Sequence, residues 1–366
     1  MQPFGKRHAG LAEVKMSLPK RKLGSSGMEI TTVGFGTWAI GGGDWAFAWG
    51  PQDDAASLST MQHVLELGIN WIDTAAVYGL GHSEELVGKL LHELSPSERP
   101  LVFTKCGVVW DPMNRMVPGK RSLKPESIRA ECEASLRRLG VERIDLYQFH
   151  WPDESGVPIE DSWATMAQLV SEGKVRAAGV SNFDAKLMQS CEAIRHVDSL
   201  QPPFSLINRA AAENNITWCA RNHTGVICYS PMQSGLLTDT FTAERVAKMP
   251  KDDWRRNAAE FQQTNLKNNL ALRDALRPIA ERHDVSVSAV AVAWVLACPG
   301  VTGAIIGARK PEQVDAWIGA ADMQLNEKDL GEIAAAIQQT GAGAGPAWPR
   351  AATPRPDQET SHRAKA

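Results

Sequence analysis

A (β/α)8 TIM barrel is the α/β fold class this sequence predicts, with an N-terminal hairpin beneath it and long loops above. Three observations predict it. Eight short runs rich in β-branched and aromatic residues recur near 32–35, 71–73, 101–104, 144–149, 177–180, 199–201, 226–229 and 302–306. Helical stretches separate them, the alternation of a parallel sheet covered on its outer face. The residues with chemical potential fall at the C-terminal ends of these runs, the rim on which such barrels build their sites.

The elements follow in order. Residues 1–17 carry Lys6, Arg7 and Lys15 without the apolar stretch of a signal peptide, so a disordered leader is expected there. Arg21 to Ile30 alternates around Ser25-Ser26-Gly27 and reads as a hairpin that plugs the barrel floor. The clearest helix is 126–139: Ile128, Cys132, Leu136 and Leu139 share one face, Pro125 opens it and Gly140 stops it, while Arg129, Glu131 and Arg137 stay polar. After the seventh run, 230–263 offers no convincing strand. The barrel is expected to span 18–340, and the Gly/Ala/Pro-rich residues 341–366 to form a flexible tail.

With 366 residues, 43% of them hydrophobic, the chain can build one large core or two ordinary ones, and the strand–helix alternation chooses the former. A net charge of -3 leaves no basic excess to neutralise phosphates, which argues against nucleic acid or a membrane surface as partner and for a small molecule. The six cysteines lack metal-ligand spacing and read as reduced thiols, so no metal is expected. No run approaches the ~18 apolar residues of a membrane span, and a cytoplasmic location is expected.

Asp73, Tyr78, Lys105 and His150 together make a carbonyl-reducing site. A free tyrosine, with pKa near ~10, is a poor acid at neutral pH, but a neighbouring ammonium is expected to lower that value. Lys105 is the ammonium, Asp73 keeps it charged, and His150 donates to the carbonyl oxygen and orients it. A buried ion pair alone accounts for Asp73 and Lys105, since either charge left unpaired would cost several kcal/mol. It does not account for Tyr78 or His150.

Gly34-Phe-Gly36-Thr-Trp-Ala39 fits a dinucleotide fingerprint in form only, because Ile-Gly-Gly-Gly-Asp-Trp follows where a helix should. Trp38, Trp45, Trp49, Trp110 and Trp151 all fall on loops after strands, and this clustering predicts an apolar pocket for a hydrophobic, ring-shaped or sugar-like carbonyl. Near the end, Gly307-Ala-Arg309-Lys310-Pro-Glu-Gln313 opens a helix, where a phosphate meets backbone N–H groups and positive charge.

Four strings in one order carry a resemblance: Gly68-Ile-Asn-Trp-Ile-Asp73-Thr-Ala-Ala-Val-Tyr78-Gly79 with Glu84, then Phe103-Thr-Lys105, then Leu146-Tyr-Gln-Phe-His150-Trp151-Pro152, then Gly179-Val-Ser181-Asn182-Phe183. Over about residues 20 to 340 the chain resembles the aldo-keto reductase family. The resemblance implies NADP(H)-dependent interconversion of aldehydes or ketones and alcohols, with Tyr78 as proton donor and acceptor. It places Gly36, Thr37, Trp38 and Asp73 beside the nicotinamide, Ser181, Asn182 and Gln201 on its carboxamide, and Tyr229 against its ring. Ser230, Met232, Ser234, Gly235 and Leu237 would belong to a loop covering the pyrophosphate, and Gly307, Arg309 and Gln313, with Lys310, to the adenosine end. Trp38, Tyr78, Trp110, His150 and Trp151 would meet substrate. The chain departs from the family at Ala316-Trp317, where many members hold adenine with Glu-Asn. Two rival readings are a cofactor-binding regulatory subunit resembling potassium-channel β-subunits, and a barrel aldolase with a Schiff base on Lys105.

Overall fold

The structure, a computed structural model, describes residues 17–250 and 253–348. Most of the expected leader and the last part of the expected tail, 349–366, lie outside the described residues.

Twelve strands are described: β1 Lys20–Lys22, β2 Glu29–Thr31, β3 Val33–Gly36, β4 Trp71–Asp73, β5 Leu101–Cys106, β6 Val108–Val109, β7 Lys120–Arg121, β8 Ile144–Phe149, β9 Val175–Ser181, β10 Ser199–Gln201, β11 Gly225–Tyr229 and β12 Gly303–Gly307. Eight close a parallel barrel in the order β3, β4, β5, β8, β9, β10, β11, β12, sealed by the pairing of Gly36 with Gly307. Each barrel strand lies at its predicted run, and the (β/α)8 fold is as expected. The helix Pro125–Leu139 is also as read, its end closed by Gly140 at φ 65°, whose N–H reaches the Arg137 and Leu136 carbonyls.

β1 and β2 form the expected hairpin, Arg21 opposite Ile30. Leu23, Met28 and Ile30 from it share a buried cluster with Trp71, Phe103, Leu146, Ala177 and Ile227 of the barrel interior. Burying each such side chain contributes about 1.5–3 kcal/mol, so the hairpin is a plug rather than an ornament. Trp71 fills the space next to Gly34, where a Cβ would run into the indole. The second and larger core lies between the strands and the surrounding helices. Apolar matter therefore closes the barrel from below, and polar groups collect at its upper rim.

Two features were not read from sequence. The hairpin of β6 and β7 follows the end of β5 and is tied to the loop after β3 by Ala46 N–H donating to the Arg115 carbonyl at 3.2 Å. The first residues of the expected flexible tail are docked: Gly341 caps the helix Glu327–Thr340 at φ 63°, Ala342 is buried, and Arg209 donates to the Ala342 and Gly345 carbonyls at 3.1 Å each. Carbonyls that would need partners find them in one buried guanidinium, which moves the edge of the barrel body past 340. Between 230 and 263 the described residues hold one short helix, Ala243–Ala247, and single turns, with no strand. No helix among the described residues is long and apolar enough to cross a membrane.

Candidate active site

Neighbouring strands bring the four reactive residues to one point. Asp73 ends β4 and Lys105 lies near the end of β5, the adjacent strand. The fully buried Lys105 ammonium donates to Asp73 Oδ1 at 2.6 Å, to the Thr74 carbonyl at 2.8 Å and to the Tyr78 hydroxyl at 3.4 Å. Tyr78 is aimed by the turn after β4, in which Gly79 and Leu80 take φ of 63° and 58°; a Cβ on Gly79 would collide with the Gly41 carbonyl. His150 follows β8, its ring edge-on to Tyr78 with centroids 5.7 Å apart. Behind Lys105, Glu84 is buried between Arg138, 2.6 Å away, and the Thr104 hydroxyl.

A chain of hydrogen bonds runs from this centre across the barrel mouth. Gln201 Nε2 donates to Asp73 Oδ2 at 2.8 Å, and the Ser181 hydroxyl donates to the Gln201 carbonyl at 2.8 Å. Asn182 donates to the His150 carbonyl at 2.9 Å and to Ser181 Oγ at 3.1 Å, while accepting from the Tyr229 hydroxyl at 2.8 Å. These polar groups thus hold one another in register. Asn182 sits at φ 61°, a left-handed geometry that costs a non-glycine residue roughly 1 kcal/mol or more.

The electrostatics correct one expectation. Burial pushes the Tyr78 phenol well above its ordinary value, and the Asp73 charge pushes the same way. The lowering expected from Lys105 fails because Asp73 sits on the same ammonium: the phenol faces an ion pair in a dry pocket, not a lone cation. Burial likewise pushes Asp73 up and Lys105 down, and their mutual attraction opposes both shifts. His150 is held well below its usual range by burial, then by Lys105 and Arg121, so its imidazole is neutral.

A cavity of about 950 Å³ extends from these residues across the strand ends. That volume lies near the upper limit for small-molecule sites and suits a large ligand together with a small one. Of the expected cofactor residues, Gly36, Thr37, Trp38, Asp73, Ser181, Asn182, Gln201, Tyr229, Ser230, Met232, Ser234, Gly235, Gly307, Arg309 and Gln313 line it. Leu237 does not; it is fully buried in the core beneath the loop. Among expected substrate contacts Trp38, Tyr78, His150 and Trp151 line the cavity, whereas Trp110 lies beyond β6 and outside it. Among the described residues no cluster of side chains suits a metal ion.

In the loop after β11, Ser230, Gln233, Ser234 and Gly235 all take positive φ, from 46° to 101°, and the loop closes on itself, Gln233 N–H donating to the Ser230 carbonyl at 2.9 Å and Gly235 N–H to the Met232 carbonyl at 3.2 Å. Arg309 is less free than its sequence suggests: it donates to Gln52 Oε1 at 2.6 Å, to the Trp49 carbonyl at 3.0 Å and to the Pro51 carbonyl, latching the loop after β3. Lys310 beside it is exposed at the start of the helix Pro311–Ile318.

Sequence reasoning missed Trp254 and Arg255, which line the same cavity. Trp254 stacks on Trp38 with centroids 5.5 Å apart, Trp38 lies nearly parallel to Tyr78 at 6.2 Å, and Arg255 lies over Trp49 at 4.6 Å while pairing with Asp253. A tryptophan inside the polar run Asp252-Asp253-Trp254-Arg255-Arg256 was the available signal. Arg121 was missed too; it stacks on Trp151 at 4.2 Å and pairs with Glu154 at 2.6 Å at the cavity mouth.

Comparison with known proteins agrees with this geometry. The model of the aldo/keto reductase family matches residues 32–338. The chain is 36% identical to aldo-keto reductase YhdN of Bacillus subtilis over 319 residues, covering 87% of this chain and 93% of that one. It is 35% identical to the NADH-specific methylglyoxal reductase of Escherichia coli over 334 residues, 88% of this chain and 100% of the relative. Among solved structures, the glycerol dehydrogenase AKR11B4 of Gluconobacter oxydans superposes with a TM-score of 0.80 at 36% identity, covering 93% of this chain and 99% of that one. The chain belongs to the aldo/keto reductase family, and is an oxidoreductase of that family.

Proposed function

We propose that this chain reduces aldehydes or ketones with NADPH and runs the reverse oxidation of alcohols, Tyr78 giving and taking the proton. The observation that carries the reading is the Tyr78 hydroxyl, which faces the cavity beside the neutral His150 and receives the Lys105 ammonium at 3.4 Å. When bound, the nicotinamide supplies or accepts the hydride; everything else falls to the chain.

The high pKa of Tyr78 keeps it protonated at neutral pH, so it enters reduction loaded as an acid. The neutral His150 can offer an N–H to the carbonyl oxygen without bringing a charge that would repel Lys105. Asp73 holds Lys105 in place. Ser181, Asn182 and Gln201 suit a carboxamide, and the Tyr229 ring suits a flat partner. Arg309 retains donors beyond its loop contacts, and the exposed Lys310 stands beside it, which together favour a 2′-phosphate and hence NADP(H). The names of two relatives suggest small substrates such as methylglyoxal or glycerol. The free, buried cysteines suit a cytoplasmic site of action.

A Schiff-base aldolase is disfavoured, because the Lys105 nitrogen is buried and tied to Asp73 and the Thr74 carbonyl. The test is steady-state oxidation of NADPH with a panel of aldehydes and ketones, run beside Tyr78→Phe. Wild type should turn over many times, and the variant should bind cofactor normally yet lose at least ~100-fold in kcat. Near-normal turnover of the variant removes Tyr78 from the chemistry. A wild type that stops after one turnover points instead to a regulatory subunit.

A further inference from the structure

The side of the cavity nearest His150 carries a guanidinium that the proposed chemistry does not use. Arg121 ends β7 and lies opposite Val108 of β6, which also lines the cavity. Its backbone stands on a fixed base: Ser122 N–H donates to the Gly107 carbonyl at 3.2 Å, and Leu123 N–H to Asp153 Oδ1 at 2.6 Å. From there the side chain crosses to the loop after β8 and lies over the Trp151 ring, Cζ 4.2 Å from its centroid. Trp151 in turn lies nearly parallel to His150, with centroids 6.4 Å apart, and His150 meets Tyr78 edge-on at 5.7 Å. Two rings thus link Arg121 to the reacting end of the cavity.

A guanidinium lying flat on a ring keeps its edge, where the N–H groups are, for a planar anion such as a carboxylate. Among the described residues Arg121 has one polar partner, Glu154, whose Oε1 accepts from Nη1 at 2.6 Å. Donors remain on Nε and Nη2. Glu154 has no second partner among the described residues and its side chain is 62% exposed, so it can turn into water with little loss, as exposed ion pairs contribute little. The neighbouring acid does not take its place: Asp153 commits its oxygens to Leu123 N–H, Val157 N–H and the Ser155 hydroxyl. Arg115 lines the same end of the cavity, so the mouth is cationic once Glu154 turns away. In the ring of strands β5 and β8 stand opposite β11 and β12, which lead into the segments proposed for the nucleotide, so this cation is left to the substrate.

We propose that Arg121 binds the anionic end of the substrate, and that this enzyme takes carbonyl compounds bearing a carboxylate, the carbonyl at Tyr78 and His150 and the carboxylate on the guanidinium beside Trp151. This rests on the reading of Tyr78 as the proton donor. Glu154 is then a built-in competitor, which holds the guanidinium in position and yields it to the substrate.

The test is kcat/KM for a homologous series of ω-oxo acids, each against the n-alkanal of equal length, with whichever of NADPH and NADH the enzyme prefers. At the length that bridges Tyr78 and Arg121, the oxo acid should exceed its alkanal by ~10-fold or more. Arg121→Met should remove that preference, lowering kcat/KM for the oxo acid at least ~10-fold more than for the alkanal, and Arg121→Lys should restore part of it. Glu154→Gln removes the competitor and should lower KM for the oxo acid about 2- to 5-fold. An oxo acid that is nowhere favoured over its alkanal overturns the proposal, as does a preference that survives Arg121→Met. Should the methionine variant fail to fold, a Glu154→Gln enzyme with unmoved KM for the oxo acid overturns it equally. Tyr78→Phe is measured in parallel: normal turnover of the alkanals would remove the proton-donor reading, whereas its loss beside a series without preference removes only the role of Arg121. If wild type reduces neither class, the proton-donor reading fails, and tryptophan fluorescence titrated with the ω-hydroxy acids in the complex with oxidised cofactor decides for Arg121, since binding indifferent to Arg121→Met overturns the site.

Discussion

Arg309→Ala separates two jobs that one guanidinium performs. As a phosphate ligand, Arg309 would make charge-assisted bonds worth roughly 1.5 to 3 kcal/mol, about one to two powers of ten in affinity, and only for NADPH. As a latch, it ties the Trp49 carbonyl, the Pro51 carbonyl and Gln52 Oε1, and so steadies Trp49 against Trp38 and Trp254. The freed acceptors can turn to water, so that loss is about one net hydrogen bond, roughly 0.5 to 1.5 kcal/mol, and it falls on both nucleotides. The variant should therefore bind NADH about 3- to 10-fold more weakly and lose a further ~10- to 100-fold with NADPH. Lys310→Ala tests the phosphate term alone, since its exposed ammonium engages no neighbour among the described residues and its removal should weaken only NADPH. Quenching of tryptophan fluorescence, titrated with each nucleotide against wild type and both variants, gives the constants. Equal losses for NADH and NADPH in Arg309→Ala, with Lys310→Ala silent, would reduce Arg309 to a latch. A wild type that prefers NADH would end the NADP(H) assignment, and Ala316-Trp317 at the cavity edge would be the first place to look.

Three further outcomes are expected. Lys105→Met strands a buried carboxylate and should cost about 3 to 5 kcal/mol, read as a large fall in Tm that Asp73→Asn in the same chain largely restores; an unchanged Tm would mean the pair is not a buried ion pair. All three tyrosines, Tyr78, Tyr147 and Tyr229, are held above the ordinary value of 10.0 by burial, so their folded values exceed their unfolded ones. The stability this contributes is complete below pH ~10 and is lost as pH rises beyond it, so tyrosinate absorbance should appear only with cooperative alkaline unfolding; a gradual native titration below pH ~10 would contradict it. Deleting 349–366 should leave Tm and cofactor binding unchanged, whereas deleting 341–366 should lower Tm by removing buried Ala342 and the acceptors of Arg209.

The strand ends were legible because a parallel barrel buries both faces of each strand, and a charge directly after an apolar run is then conspicuous. Asp73 after Trp71-Ile72 and His150 after Ile144–Phe149 are found that way, and both lie where the pattern puts them. Trp254 and Arg255 escaped because their segment has no period, and only the folded chain sets Trp254 on Trp38, far upstream. The latch of Arg309 escaped for a similar reason: its partners at 49–52 lie some 257 positions away, and the Gly-Ala-Arg-Lys string carries no trace of them.

The misjudged direction of Tyr78 shows how the centre works. A lysine considered alone lowers a neighbouring phenol, but the ammonium at 3.4 Å from the hydroxyl is itself only 2.6 Å from a carboxylate, so the phenol sees a dipole whose far end repels its ionised form. Burial then adds its own penalty on that form, as the largest cause. Tyr78 is accordingly held as an acid until something positive or hydrogen-bonding enters beside it. On the proposed reading, reduction starts from that protonated state, and oxidation must first take the proton away. Asp73 is fixed in turn by Gln201, whose amide donates to Oδ2 at 2.8 Å, so on the proposed reading Gln201 bears on the proton that Tyr78 holds.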